Sequence, residues 1–202
     1  MFAYCQNNSV NFYDPAGYFP HSQCTYAYID GNYTLPYITD QDDDLIKSKR
    51  FGITTVSHGG CGPIATYNAL ISLGKYVSFD EVLAYYNSNI FALNLGGLTG
   101  TPVDLVAQYF RDNGYSVIVS DDPDEIDVLS MSADASILWY MFPAKYFGVE
   151  AYGAHFVSYK KTDAGYVGYN TAEGNGTYMF RYASDYGYDH DRYYAIGIFI
   201  FK

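Results

Sequence analysis

The chain has 202 residues, enough for one domain with an arm and for a sizeable core. Acidic residues outnumber basic ones 22 to 11, the net charge is -11 and no Lys/Arg cluster breaks the excess, so nucleic acid and anionic membranes are not expected as partners. Charged residues are sparse while tyrosine alone contributes 25, a balance that suits a globular domain with amphipathic rings, for packing or for lining a peptide groove, and not a disordered chain.

Residues 1–50 are rich in Asn, Tyr, Asp and Gly, and Pro15, Pro20 and Pro36 interrupt any helical period. They read as an extended arm laid over a domain spanning residues 51–202. The first 20 residues have no basic segment and no continuous apolar run, so no signal peptide is legible, and no stretch reaches membrane-spanning length. Three cysteines cannot all pair; if a disulfide forms, Cys5 with Cys24 leaves Cys61 free. Asp42, Asp43 and Asp44 lack the glycine and ligand spacing of a calcium loop, and His21 reads as a surface residue.

From Thr55 to Leu73 the chain sets Cys61 between Gly59-Gly60 and Gly62-Pro63, at the start of an apolar run. Pro63 suits a first helical turn, so the helix is expected to begin at Cys61, to be buried on most sides and to end at Gly74. A thiol at a helix start meets unpaired N–H groups and the positive end of the dipole, which predicts a lowered pKa. The plain alternative is a space-filling buried cysteine. Three glycines around the sulfur favour catalysis in this reading, because a substrate carbonyl has to approach the backbone closely.

Ser78 to Glu81 forms a capping box with Val77 and Val82 as a staple, opening a second helix that frays near Asn87. Asn94 to Gly100 is a Gly-rich loop without a phosphate-binding pattern, and Thr101-Pro102-Val103-Asp104 caps a third helix that stops at Asn113-Gly114. Beyond it, strands are expected over 115–120, 136–142, 155–161, 166–170, 177–182 and 195–201, with a short acidic helix opened by Asp122-Pro123. Helices first and strands after, with hairpin-length links, predict an α+β domain whose nucleophile-bearing helix packs on a mostly antiparallel sheet.

A hairpin turn at Asp163-Ala164 places Thr162 opposite Gly165 and Lys161 opposite Tyr166. His155 and Asn170 then share a face, offset by one diagonal of about 7–8 Å. Asn170 is positioned to accept from one ring nitrogen of His155, leaving the other to take the proton of Cys61. A His–Asn pair at a sheet edge is also an ordinary satisfied polar pair; joined to Cys61, the three match the Cys-His-Asn arrangement of acyl transfer. His58 is a rival base, with shaping or lining the cleft as its favoured role, and His190 has no partner motif for a metal. No cofactor is expected.

Gly60-Cys61-Gly62-Pro63 entering a helix, His155-Phe156-Val157 on a strand and Tyr169-Asn170 one hairpin later resemble the papain-like cysteine peptidases, and most closely the bacteriocin-processing branch that cleaves leader peptides after Gly-Gly. The resemblance covers about residues 50 to 202. It implies a papain-like fold, thiolate attack on the carbonyl of a peptide or protein substrate, a thioester and hydrolysis by water, with Cys61, His155 and Asn170 as the triad. In that family a Gln six residues before the nucleophile donates to the oxyanion; here the position is Thr55, and loss of such a donor costs about 3–4 kcal/mol. Thr55, Gly60, Gly62 and His58 are therefore the candidate oxyanion and substrate-binding residues. The same scaffold also accommodates an acyl or peptidyl transferase, or a peptide-binding module with impaired catalysis.

Overall fold

The structure, a computed structural model, describes residues 28–29, 32–33, 37–146, 149–171, 176–188 and 194–202. Cys5, Cys24, His21, His190 and the three arm prolines lie outside them. Among the described residues, ten strands and six α-helices are laid out in the order β1 (Tyr28–Ile29), β2 (Asn32–Tyr33), β3 (Arg50–Phe51), β4 (Thr54–Thr55), α1 (Val56–Gly59), α2 (Cys61–Ser72), α3 (Phe79–Ser88), α4 (Val103–Asp112), β5 (Ser116–Ser120), α5 (Pro123–Ser132), β6 (Ala135–Tyr146), β7 (Val149–Thr162), β8 (Gly165–Thr171), β9 (Gly176–Phe180), α6 (Ala183–Tyr188) and β10 (Tyr194–Phe201).

Six strands make one antiparallel sheet in the order β5-β10-β6-β7-β8-β9. Alternation along the strands sends their apolar residues to opposite faces. Ile137, Phe156, Tyr169, Ile198 and Ile200 face α2 with its Ile64, Ala65 and Leu70. Leu138, Tyr140, Val157, Tyr159 and Phe199 face the other way, toward Ile126 of α5 and Tyr186 of α6. Both faces are covered, which makes this an α+β architecture with helices on each side of an antiparallel sheet.

Helix α2 is the central piece. Cys61 through Ile71 are all buried, so the helix is apolar around its whole circumference. It touches β6, β7 and β8 on one side and α3 and α4 on the other. Its end is sealed as the glycine predicts: Gly74 takes φ +74°, its N–H donates to Ile71 O at 3.0 Å, and Lys75 N–H donates to Leu70 O at 2.9 Å. The Ser78–Glu81 capping box forms, with Glu81 N–H donating to Ser78 Oγ at 3.2 Å and Ser78 N–H to Glu81 Oε2 at 2.7 Å. Helix α3 ends at Ser88, beside the expected end near Asn87. The Asn87 side chain accepts from Gly52 N–H at 2.7 Å and donates to Arg50 O at 3.0 Å, tying the β3–β4 hairpin to α3. Helix α4 starts after Pro102 and takes no side-chain cap, so Thr101 is not the cap its sequence position suggests.

Residues 37–49 lie against the domain. The side chain of Asn68, in the buried middle of α2, accepts from Ile38 N–H at 2.9 Å and donates to Ile38 O at 2.8 Å. The Tyr37 ring stacks on Tyr169 with centroids 4.0 Å apart and planes 3° from parallel. Asp43 and Asp44 hold local turns, Asp43 accepting from Leu45 N–H at 2.7 Å and Asp44 pairing with Lys47, while Asp42 accepts from Ser57 Oγ on α1. Among the described residues no helix is long and apolar enough to cross a membrane.

Candidate active site

The first turn of α2 is built by close packing. A Cβ on Gly59 would lie 2.6 Å from Gly97 O; on Gly60, 2.6 Å from Val56 O; on Gly62, 2.5 Å from Thr101 Oγ1. The glycines therefore serve the joint between α1, α2 and the 94–101 loop. This corrects the inference that they mark substrate approach, since packing by itself demands each of them. The turn is also fastened from within. Thr66 Oγ1 donates to Gly62 O at 3.0 Å, and Tyr86 OH donates to Thr66 Oγ1 at 2.6 Å in a fully buried chain.

Cys61 is a free thiol, 8% exposed. The backbone N–H groups of Phe156, Gly62 and Cys61 itself favour its ionised form. Burial outweighs them and pushes the thiol pKa up from its ordinary value. This reverses the sequence expectation of a lowered pKa: a helix start supplies donors, but the desolvation of a buried anion is the larger effect here.

Cys61 packs in one core with Phe156 of β7, one residue from His155. The β7–β8 ladder keeps the predicted register from Thr162↔Gly165 to Ser158↔Tyr169 and, among the described residues, ends there. Nearer the start of β7, Val157, Phe156 and His155 pair, among the described residues, with Leu138, Trp139 and Tyr140 of β6. On β8 the backbone turns left-handed at Asn170, φ +61°, and the register with β9 slips between Tyr169 and Thr171. The two strands part at this bulge, where the main-chain O of Asn170 meets the His155 ring.

His155 leaves β7 on the face it shares with Tyr140, whose ring meets its own edge-on with centroids 5.9 Å apart. Its Nε2–H donates to the main-chain O of Asn170 at 2.5 Å. A carbonyl only accepts, so Nε2 carries the proton and Nδ1 of the neutral ring keeps its lone pair. Asn170 thus meets the ring through its backbone and not through its carboxamide, because the bulge breaks the strand alternation on which the side-chain contact was reckoned. Asn170 is 4% exposed, and its Nδ2 has no partner among the described residues.

The remaining sequence candidates divide. Gly60 and Gly62 are buried beside Cys61, whereas Thr55 is exposed on the β3–β4 hairpin, opposite Arg50. His58 is exposed on α1 and its Nε2–H donates to Leu98 O at 3.1 Å, which ties α1 to the 94–101 loop. Sequence reasoning missed two contributors: the Phe156 N–H, whose only signal was its place after His155, and Thr101 against Gly62, which carried none. A cavity of about 410 Å³ lies elsewhere, at the tip of the β7–β8 hairpin, lined by Asp127, Lys161, Asp163, Tyr166, Arg181 and Tyr182 among others, and none of the candidate residues lines it. No protein-family model matches the chain, and no curated protein matches it either.

Proposed function

We propose that the chain is a cysteine peptidase or related thiol hydrolase with a papain-like fold, acting on a peptide or protein substrate. One observation carries the reading: Cys61, at the head of the buried helix α2, packs in one core with Phe156 of β7, the residue after a histidine whose Nε2–H is committed to Asn170 O. The Cys61 proton passes to His155 Nδ1 as the sulfur attacks the carbonyl carbon. The amine leaves with that proton, and water attacks the thioester with the same nitrogen as base. Asn170 orients the ring through its carbonyl.

The test is turnover of a fluorogenic peptide set by the wild-type chain and by Cys61→Ala. Loss of hydrolysis in the variant supports the reading, and equal hydrolysis by both ends it. The raised thiol pKa favours a second reading, a peptide-binding module without catalysis. That one predicts peptide binding with no turnover and slow, unselective alkylation of Cys61.

A further inference from the structure

The cavity of about 410 Å³ at the tip of the β7–β8 hairpin falls within the size range of small-ligand sites, about 300–1,000 Å³. Tyr166 lines it and is 5% exposed, its ring stacked on Phe180 and edge-on to Tyr159, with centroids 5.6 Å apart in both pairs. The Tyr166 hydroxyl has no hydrogen-bond partner among the described residues and is still open to the cavity. A ring fixed by packing therefore holds an unspent polar group at the cavity wall.

Two cations stand around that hydroxyl. In the β7–β8 ladder Lys161 lies directly opposite Tyr166, so both side chains leave the same face of the sheet, with Cβ atoms about 4.5–5.5 Å apart. Arg181 follows Phe180, the residue opposite Tyr166 on β9, and its guanidinium lies over the Tyr182 ring, 5.3 Å from the centroid. Such stacking uses a face of the guanidinium and leaves its N–H edge free. The joint is tight, because a Cβ on Gly165 would lie 2.5 Å from Phe180 O and 3.3 Å from Arg181 Cα. In a chain of net charge -11, the ion pairs among the described residues are Lys47–Asp44 and Lys49–Asp80, so Lys161 and Arg181 keep their side-chain donors unspent. The acidic residues at the cavity differ. Asp127 already accepts from Ser184 N–H and Ser184 Oγ, both at 2.8 Å, and Asp163 is exposed on the turn.

We propose that this cavity binds a carboxylate carried on an apolar body, with Arg181 and Lys161 on the carboxylate, the Tyr166 hydroxyl donating to it, and Met131 and Tyr182 against the body. Unspent donors outnumber open acceptors here, which selects an anion over a cation, and the guanidinium edge matches the two oxygens of a carboxylate. The assignment does not depend on Cys61, because none of the candidate catalytic residues lines the cavity. Two sources carry such a group: a small organic acid, and the C-terminal end of a peptide whose last residue is apolar.

The test is a ligand-observed NMR titration of the full chain with 3-phenylpropionate, its amide and 2-phenylethylamine. The acid is expected to bind at least about tenfold more tightly than the neutral or the cationic analogue. Tyr166→Phe removes only the hydroxyl and Arg181→Gln the charge, and each should weaken the acid about tenfold or more. The melting temperature of Tyr166→Phe stays at the wild-type value, because the hydroxyl has no partner to lose. Lys160→Gln makes the same charge change on the other face of β7 and should leave the affinity unaltered. Displacement of 3-phenylpropionate by a tripeptide with a free C-terminal phenylalanine, and not by its C-terminal amide, makes the source a chain end; no displacement by either makes it a small acid. The inference is overturned if the acid does not bind, if the amide or the amine binds as well, if Tyr166→Phe and Arg181→Gln bind like wild type, or if Lys160→Gln loses as much as Arg181→Gln.

Discussion

Gly60→Ala probes the joint that carries the nucleophile. Gly60 has φ -82° and ψ 7°, a conformation open to alanine, so any cost is steric. The new methyl would lie 2.6 Å from Val56 O, 2.7 Å from Val56 Cγ1 and 2.8 Å from Val56 Cα. Two of those atoms are main chain, and Gly60 N–H donates to that same Val56 O at 2.8 Å, so relief moves α1 and loosens a hydrogen bond. Overpacking of this kind costs about 1–3 kcal/mol. For a chain of this size each kcal/mol lowers the melting temperature by about 2–4 °C, so a fall of about 2–12 °C is expected. Gly74→Ala is the control: its φ is +74° with no atom within 4 Å of the added carbon, so it pays only the left-handed penalty of about 1–2 kcal/mol, far from the sulfur. Thermal unfolding by circular dichroism, with iodoacetamide labelling of Cys61, reads both. Gly60→Ala should lower the melting temperature and change the labelling rate, whereas Gly74→Ala should lower only the temperature. A Gly60→Ala protein that melts and labels like wild type refutes the packing account of these glycines.

Asn170→Gly keeps both the carbonyl that His155 uses and the left-handed backbone, so it should label at Cys61 like wild type; a tenfold or larger loss, about 1.4 kcal/mol, would restore the carboxamide as orienter. Tyr86→Phe removes the donor to Thr66 at the centre of the α2 turn, and should cost about 1 kcal/mol in urea unfolding, with an undiminished midpoint counting against the buried chain. Burial raises the folded-state pKa of Cys61, Tyr86 and Tyr159, so the folded state binds these protons more tightly than the unfolded chain, where they ionise near about 8.5 for cysteine and 10 for tyrosine. Their stabilising effect is complete below those values and is lost as pH rises through them; urea midpoints should be level from neutral pH to about 8 and fall above it, and a midpoint that rises there contradicts the sign.

Much of this arrangement is legible in the residues themselves. Gly60-Cys61-Gly62-Pro63 marks the start of α2 because proline and the apolar run after it agree, and the Asp163-Ala164 turn sets the β7–β8 register because a two-residue loop allows little else. What escapes depends on partners distant in the chain. Gly59 and Gly62 are explained by Gly97 O and Thr101, some 40 residues on. Helix α6, in a segment without periodicity, begins where Asp127 accepts from both Ser184 N–H and Ser184 Oγ at 2.8 Å, 57 residues away. The bulge at Asn170 is open to an asparagine but not announced by it, and it turns a predicted side-chain contact into a main-chain one. The direction of the thiol pKa escapes the sequence because position on a helix is visible there and depth of burial is not.

The central claim is that the Cys61 sulfur and the His155 imidazole act as one acid–base pair. The most direct measurement is the pH dependence of iodoacetamide alkylation at Cys61 in the wild-type chain and in His155→Ala, followed by peptide mapping. The account predicts that removing the imidazole slows Cys61 at neutral pH and leaves Cys5 and Cys24 untouched. Superimposable Cys61 profiles for the two proteins would contradict it.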